Sequence, residues 1–395
     1  MTQDSSSHAP TPAQTDLSSQ HSSNFPDLLR QLNASFFVST YQAGKLVLVR
    51  ADGKVINTHY RTFARPMGMA LSRKGALALG TSSEIIEFRN VPGVAARLDP
   101  PNRNDAVFMP RRAFITGAID IHEMAYGVDE TLWYVNTLFS CLCILDRESS
   151  FVPVWRPKFV SKYSAEDRCH LNGLAMRDDK PATLTALGLS DDVDGWRANK
   201  RDGGIAIDYA SGEVIATQLC MPHSPRWHEG NLWILESGRG ALLQIDTATG
   251  AKVEVARLPG FLRGLDFAGP FAFVGLCQQR ETNAFTDIPI TEENRERLSG
   301  VWVVDVRSGQ TVALLKFTGG VQEIFAVNLL FGATYPELIN EAGDLLSSVY
   351  ALPDAALAET APARARLVKQ SADAEANRAQ SDEKSSASTL AEAQR

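Results

Sequence analysis

Short apolar runs recur along most of this chain, each closed by turn residues. TLWYVNT, ALLQID, KVEVAR, FAFVGL and GVWVVDV are among them. Many alternate apolar and polar side chains, the period of a half-buried strand. Ser-Gly at 211–212 and 308–309, Gly-Asn at 230–231 and Thr-Gly at 249–250 supply the turns between them. No stripe of helical period is sustained. The pattern predicts an all-β chain of short antiparallel strands.

The strands fall into a repeat. A polar residue, a small or acidic one and an apolar one recur at Met67-Gly68-Met69, His122-Glu123-Met124, Asn172-Gly173-Leu174, His223-Ser224-Pro225, Arg263-Gly264-Leu265 and Gln322-Glu323-Ile324. Successive copies are 55, 50, 51, 40 and 59 residues apart. A repeat of about 40–50 residues with four short strands is the mark of a β-propeller blade. The expectation is one six-bladed propeller, with seven blades as the alternative if 90–116 or 277–299 holds further strands. GMALS, ALALGTS, EIIEF and RRAFIT make one blade. Runs opening on IHEMAYG, NGLAM, HSPRWHEG and RGLDFAG make four more. The last blade needs both ends: VQEIFAV, at 321–327, as inner strand beside SFFVST, KLVLVR and VINTHYRTF. Such pairing closes the ring and removes open sheet edges. YPELI, at 335–339, has no evident place. The propeller spans 25–340. Residues 1–24 and 341–395 are polar and low in apolar content, and are expected to be disordered, the second partly helical. Insertions at 90–110, 190–202 and 277–299 are long enough to act as lids.

Composition narrows the function. The 395 residues carry a net charge of −7 and a pI near 5.6, which argues against non-specific nucleic-acid binding. No apolar run is long enough to span a bilayer, and the N-terminal stretch has no apolar core of a secretory signal. Five cysteines without paired spacing fit a reducing compartment, so the cytoplasm is expected. Cys141 and Cys143 share a strand face and fit two small buried hydrophobes, a thiol ligand pair being the alternative. Asp146, Asp208, Asp246 and Asp305 end third strands and fit turn-holding hydrogen bonds.

The first column of the repeat carries the candidate chemistry. His122, Asn172, His223, Arg263 and Gln322 share one register, so their side chains are expected to converge on the channel. His122, Asn172 and His223 are candidate ligands of a divalent metal, because neutral imidazole suits transition ions. Arg65, Glu123, His170, Arg263, Gln322 and Glu323 complete the expected ring of ligand-binding groups. Arg263 could instead centre a metal-free site for an organic anion, and a merely solvated channel is the third alternative. Arg226 fits a salt bridge between blades.

His170-Leu-Asn-Gly-Leu-Ala175 resembles the Asn-Gly-Leu-Ala motif of gluconolactonase-type and strictosidine-synthase-type six-bladed propellers. That resemblance implies a divalent-cation ligand at Asn172. His122 and His223 stand where the family has acidic or Asn ligands, which shifts the expectation from calcium to a softer ion. Over residues 34–340, FFVSTYQAGKLVLV, HEMAYGVDETLWYVNT, HLNGLA and SPRWHEGNLWILESGRG resemble an uncharacterised bacterial family of conserved hypothetical propeller-type proteins. The expected function is a metal-dependent enzyme acting on a small polar or anionic substrate or a peptide. The alternative is a non-catalytic scaffold that binds a protein or peptide.

Overall fold

A computed structural model describes residues 16–278, 286–292, 296–340, 343–353 and 355–356. Six antiparallel sheets stand in a ring, and their inner strands contact one another in sequence around it. The chain is a six-bladed β-propeller. The closing blade orders Ala326–Phe331, Ala34–Thr40, Lys45–Asp52 and Val55–Thr62 from inside outward. The second blade begins at Met69–Leu71, the third at Ile121–Tyr126, the fourth at Leu171–Arg177, the fifth at Pro222–His228 and the sixth at Phe261–Ala268. Among the described residues after 342, which belong to a second unit, Asp344–Ser348 is helical.

The ring closes as expected, but with a shifted inner strand. Ala34–Ser39 pairs with Ala326–Phe331, not with all of 321–327. Residues 320–325 approach the sheet without ladder pairing, apart from Phe325 N–H donating to Ser39 O at 2.8 Å. Two short segments then clamp the closing blade from both sides. Ser19–His21 adds a fifth strand to the sixth blade, pairing with Leu315–Phe317. Composition alone predicts a disordered tail over these residues. Three ladder positions suffice because His21 Nε2 also accepts from Ile56 N–H at 3.1 Å. Pro336–Leu338 adds a parallel fifth strand to the second blade, outside Ala106–Ile115. This is the place of the YPELI segment. Residues 1–15 and 357–395 lie outside the described residues.

The small middle residue of the repeat has a steric cause. Inner strands crowd together around the axis. A Cβ on Gly173 would stand 2.3 Å from Pro225 of the fifth blade, and one on Gly264 would stand 2.7 Å from Val327 N of the closing blade. Gly264 also has a φ of +80°. The core lies between sheets: the rings of Phe25, Phe36 and Phe273 pack together where the helix Phe25–Gln31 covers the junction of closing and sixth blades. The third-strand aspartates hold turns as expected; Asp208 accepts from Ser211 N–H at 2.7 Å and Asp246 from Ala248 N–H at 2.9 Å. Cys141 and Cys143 are buried and their sulfurs lie 3.5 Å apart. The insertion at 90–110 forms a 3₁₀ turn over Pro92–Arg97 and then the start of the second blade's fourth strand. It adds no blade.

Candidate functional site

Four of the six inner strands are entered through an unusual backbone position. Arg65, Asp120, His170 and Met221 all have φ between +51° and +53°. They stand two residues before Met67, His122, Asn172 and His223, so the left-handed turn is part of the repeat. Non-glycine residues avoid this region at a cost of about 1–2 kcal/mol each. Four such residues at one end of one channel mark a site where the fold holds strain.

The turns aim imidazoles. His122 Nδ1 lies 3.1 Å from Asp120 O and 2.8 Å from Thr137 Oγ. The Thr137 hydroxyl donates to Leu171 O at 2.6 Å, so its oxygen is an acceptor for Nδ1–H. His223 repeats the device. Its Nδ1 lies 3.0 Å from Met221 O and 2.8 Å from Ser237 Oγ, whose hydroxyl donates to Leu262 O at 2.6 Å. Both rings therefore carry the proton on Nδ1 and present a bare Nε2. Burial, the nearby Arg263 charge and the His170 ring hold both well below the ordinary histidine range, so both are neutral at pH 7.

These two histidines, His170, Arg263 and Glu323 line a cavity of about 250 Å³ with Met67, Tyr41, Trp196, Met221 and Phe325. Every blade or its entry contributes. The His122 and His170 ring centroids are 4.9 Å apart, and those of His122 and His223 are 6.5 Å apart. Arg263 lies 4.2 Å over the Phe325 ring, and its Nη2 donates to His223 Nε2 at 3.3 Å. Burial lowers the Arg263 pKa, with Glu323 and Glu123 opposing at longer range. Among the described residues no carboxylate is hydrogen-bonded to Arg263.

Four expected members stand elsewhere. Asn172 is buried between blades: its Nδ2 donates to Pro222 O at 2.9 Å and its Oδ1 accepts from Thr185 at 2.7 Å. His170 faces the cavity in its place. Gln322 lies in the approach to the closing strand, where its carbonyl accepts from Gln278 N–H at 2.8 Å, and Glu323 lines the cavity instead. Arg65 is at the rim, over the Tyr41 ring at 4.7 Å and 3.3 Å from Asp120. Glu123 pairs with Arg226 at 3.0 Å. That pair links the third and fifth blades, so it crosses the channel. Burial pushes the Glu123 carboxyl up against the pull of Arg226, and Glu123 in turn raises Arg226. Glu123→Gln is expected to cost about 1–2 kcal/mol, since the buried Arg226 guanidinium keeps an acceptor but loses its compensating charge. Pairing it with Arg226→Met should recover most of that loss in a denaturant melt.

The metal set His122, Asn172 and His223 is not brought together. A bond of 2.0–2.1 Å to zinc places a ring centroid about 3.2 Å from the ion, so two ligating rings stand about 5 Å apart at the tetrahedral angle. His122 and His223 exceed that spacing. The Arg263 guanidinium also occupies the lone pair of His223 that an ion would need. Among the described residues no group of three His, Cys, Asp or Glu side chains has the arrangement of a metal site.

Trp196, Arg197 and Phe325 escaped sequence reasoning. Trp196 and Arg197 belong to the insertion between the second and third strands of the fourth blade, and only its length hinted at a lid. Phe325 follows the repeat copy directly.

No curated protein matches the sequence. Solved structures similar to the chain include a nidogen/laminin complex, with a TM-score of 0.48, 8% identity and coverage of 76% of this chain and 99% of that one. A protein of unknown function from Bacteroides caccae gives 0.46, 10%, 75% and 99%. Virginiamycin B lyase from Staphylococcus aureus gives 0.36, 11%, 71% and 79%. A family model described as "Domain of unknown function (DUF4915)" matches residues 23–339, nearly the whole propeller, and the chain belongs to that family.

Proposed function

We propose that this propeller is an enzyme for a small organic anion, which it binds through a carboxylate on Arg263. The observation that carries the reading is a guanidinium in a cavity whose described polar partner is a neutral imidazole. A desolvated cation without a bonded carboxylate favours an incoming one, and the planar fork accepts two oxygens. The cavity volume limits the ligand to a small molecule. Proton transfer is the chemistry the surrounding groups supply. His170 Nδ1 is 2.8 Å from Asp167 Oδ2, which leaves Nε2 as the base. In the proposed step, Nε2 takes the proton from the carbon next to the bound carboxylate. The C–H electron pair passes into the carboxylate-stabilised carbanion, and Asp167 balances the imidazolium. Return of the proton to the opposite face of the same carbon, or departure of a leaving group from the neighbouring carbon as the electron pair forms a double bond, completes an isomerase or lyase reaction.

The test uses chelator-treated protein and a panel of mono-, di-, 2-hydroxy and 2-oxo carboxylates of two to six carbons. At a hundredfold excess over Kd, a binding member should stabilise the fold by about 2.7 kcal/mol. That is a rise in Tm of about 5 °C for a domain of this size. No shift across the panel, with stoichiometric zinc, iron, manganese or nickel in the purified protein, would overturn the anion reading in favour of a metal centre. No shift and no metal would leave the scaffold alternative.

A further inference from the structure

His170 is held by a hydrogen-bonded chain that begins outside the inner strands. Its Nδ1 lies 2.8 Å from Asp167 Oδ2, and the indole N–H of Trp196 donates to the same oxygen at 2.9 Å. The Trp196 ring also lies against the imidazole, with centroids 4.5 Å apart and planes at 42°. The other carboxylate oxygen, Asp167 Oδ1, is buried and has no hydrogen-bond partner among the described residues. One oxygen thus carries both donors, and these two bonds set the rotation of the carboxylate.

Trp196 sits in the 3₁₀ turn Gly195–Asn199 and is 3% exposed. It shares an apolar cluster with Ile288 and Ile290, which belong to a different insertion, in the sixth blade. Arg201 and Glu292 join these two insertions through a two-pronged pair at 2.6 and 3.0 Å. The indole therefore takes its position from two insertions and passes it on to the carboxylate behind His170. His122 and His223 are held differently, by a carbonyl and a hydroxyl of the blades themselves.

We infer that Trp196 is a positioning residue for His170: by pinning Asp167 Oδ2, it makes the orientation of this one cavity histidine depend on the seating of the two insertions. The inference rests on the reading of His170 as the proton acceptor, but the orientation itself is measurable without substrate. Second-partner groups of this kind fix ring orientation and tautomer.

The test is imidazole ¹⁵N–¹H NMR on the full-length protein at pH 7, without ligand. The wild type should show three protected Nδ1–H signals, from His122, His170 and His223. Trp196→Phe keeps an aromatic ring and removes the N–H donor. It should speed solvent exchange of the His170 Nδ1–H at least tenfold and leave the signals of His122 and His223 unchanged. Arg201→Met, at a partly exposed side chain, loosens the insertion without touching the cavity. It should act in the same direction by a smaller factor, and it serves where Trp196→Phe fails to fold. Unchanged exchange of His170 in the variants would overturn the inference. Equal acceleration of all three signals would overturn it too, because that is general loosening. Failure of every carboxylate to bind would end the enzyme reading and leave this result standing.

Discussion

Arg263→Ala should weaken binding of the best carboxylate by about 10²–10³-fold, because two charge-assisted hydrogen bonds of about 1.5–3 kcal/mol each are lost, partly offset by water. The same substitution should leave the Tm equal or higher. A guanidinium lowered by burial, with no carboxylate bonded to it among the described residues, costs the fold desolvation energy that alanine does not. Arg263→Lys keeps the charge and loses the fork, so it should recover some affinity and stay about tenfold or more below the wild type. The combination matters. A residue that serves stability loses Tm on truncation; a residue that serves a ligand loses affinity and keeps Tm. Calorimetric titration beside a thermal melt reads both. Undiminished affinity in Arg263→Ala would remove Arg263 from the site, and a fall in Tm of several degrees would make it a packing residue.

The blade repeat was legible because one three-residue register recurs in each blade, with a steric demand at its glycine copies. Gly173 and Gly264 mark places where one inner strand meets the next at backbone distance, and the spacing of these positions reports the blades directly. The site was legible only in part. Register on a strand predicts which residues share a face, and His122, His223 and Arg263 do line one cavity. It failed at Asn172 because that side chain is held between blades by Pro222 O and the Thr185 hydroxyl, and the side chain reaching the cavity, His170, comes two residues earlier. It failed at Gln322 because ladder pairing of the last inner strand starts only at Ala326, and the preceding residues follow no strand alternation. Trp196 was invisible for another reason. It reaches His170 from an insertion, and no local pattern encodes a contact made by tertiary packing. The three-residue strand Ser19–His21 was hidden in the same way, since its polar sequence pairs only because an edge is waiting for it.

That clamp leads to the second large effect. Glu337, on the short parallel strand Pro336–Leu338, gathers the closing blade's outer strands. It lies 3.0 Å from His59 Nε2 and 2.9 Å from Arg61 Nη2, while Arg61 Nε donates to Leu338 O at 2.6 Å and Arg50 donates to Pro336 O. Burial alone would push the carboxyl up. The His59 ring at 3.0 Å, the Leu338 N–H and the Arg61 charge outweigh it and hold Glu337 at about 2, against 4.5 in a free chain. Glu337→Ala strips three cationic or donor groups of their shared acceptor and should cost about 3–5 kcal/mol. Glu337→Gln isolates the ionisation, worth about 3 kcal/mol at about 1.4 kcal/mol per pH unit. The sign fixes the pH window. A depressed carboxyl contributes its full stability above the free-chain value and loses it as pH falls through the folded value. The gap between wild type and Glu337→Gln should therefore be constant above about pH 4.5 and shrink toward zero near pH 2. His122 and His223, held neutral by burial, act in another window. Unfolded histidines take up protons below about pH 6.5, so both proteins should lose stability together from there downward. Urea melts across pH 2.5–7 separate the two contributions, since the first appears in the difference between the proteins and the second in their common slope. A difference that grows toward acid would show that Glu337 is protonated in the folded ring, and the clamp would then rest on its backbone hydrogen bonds alone.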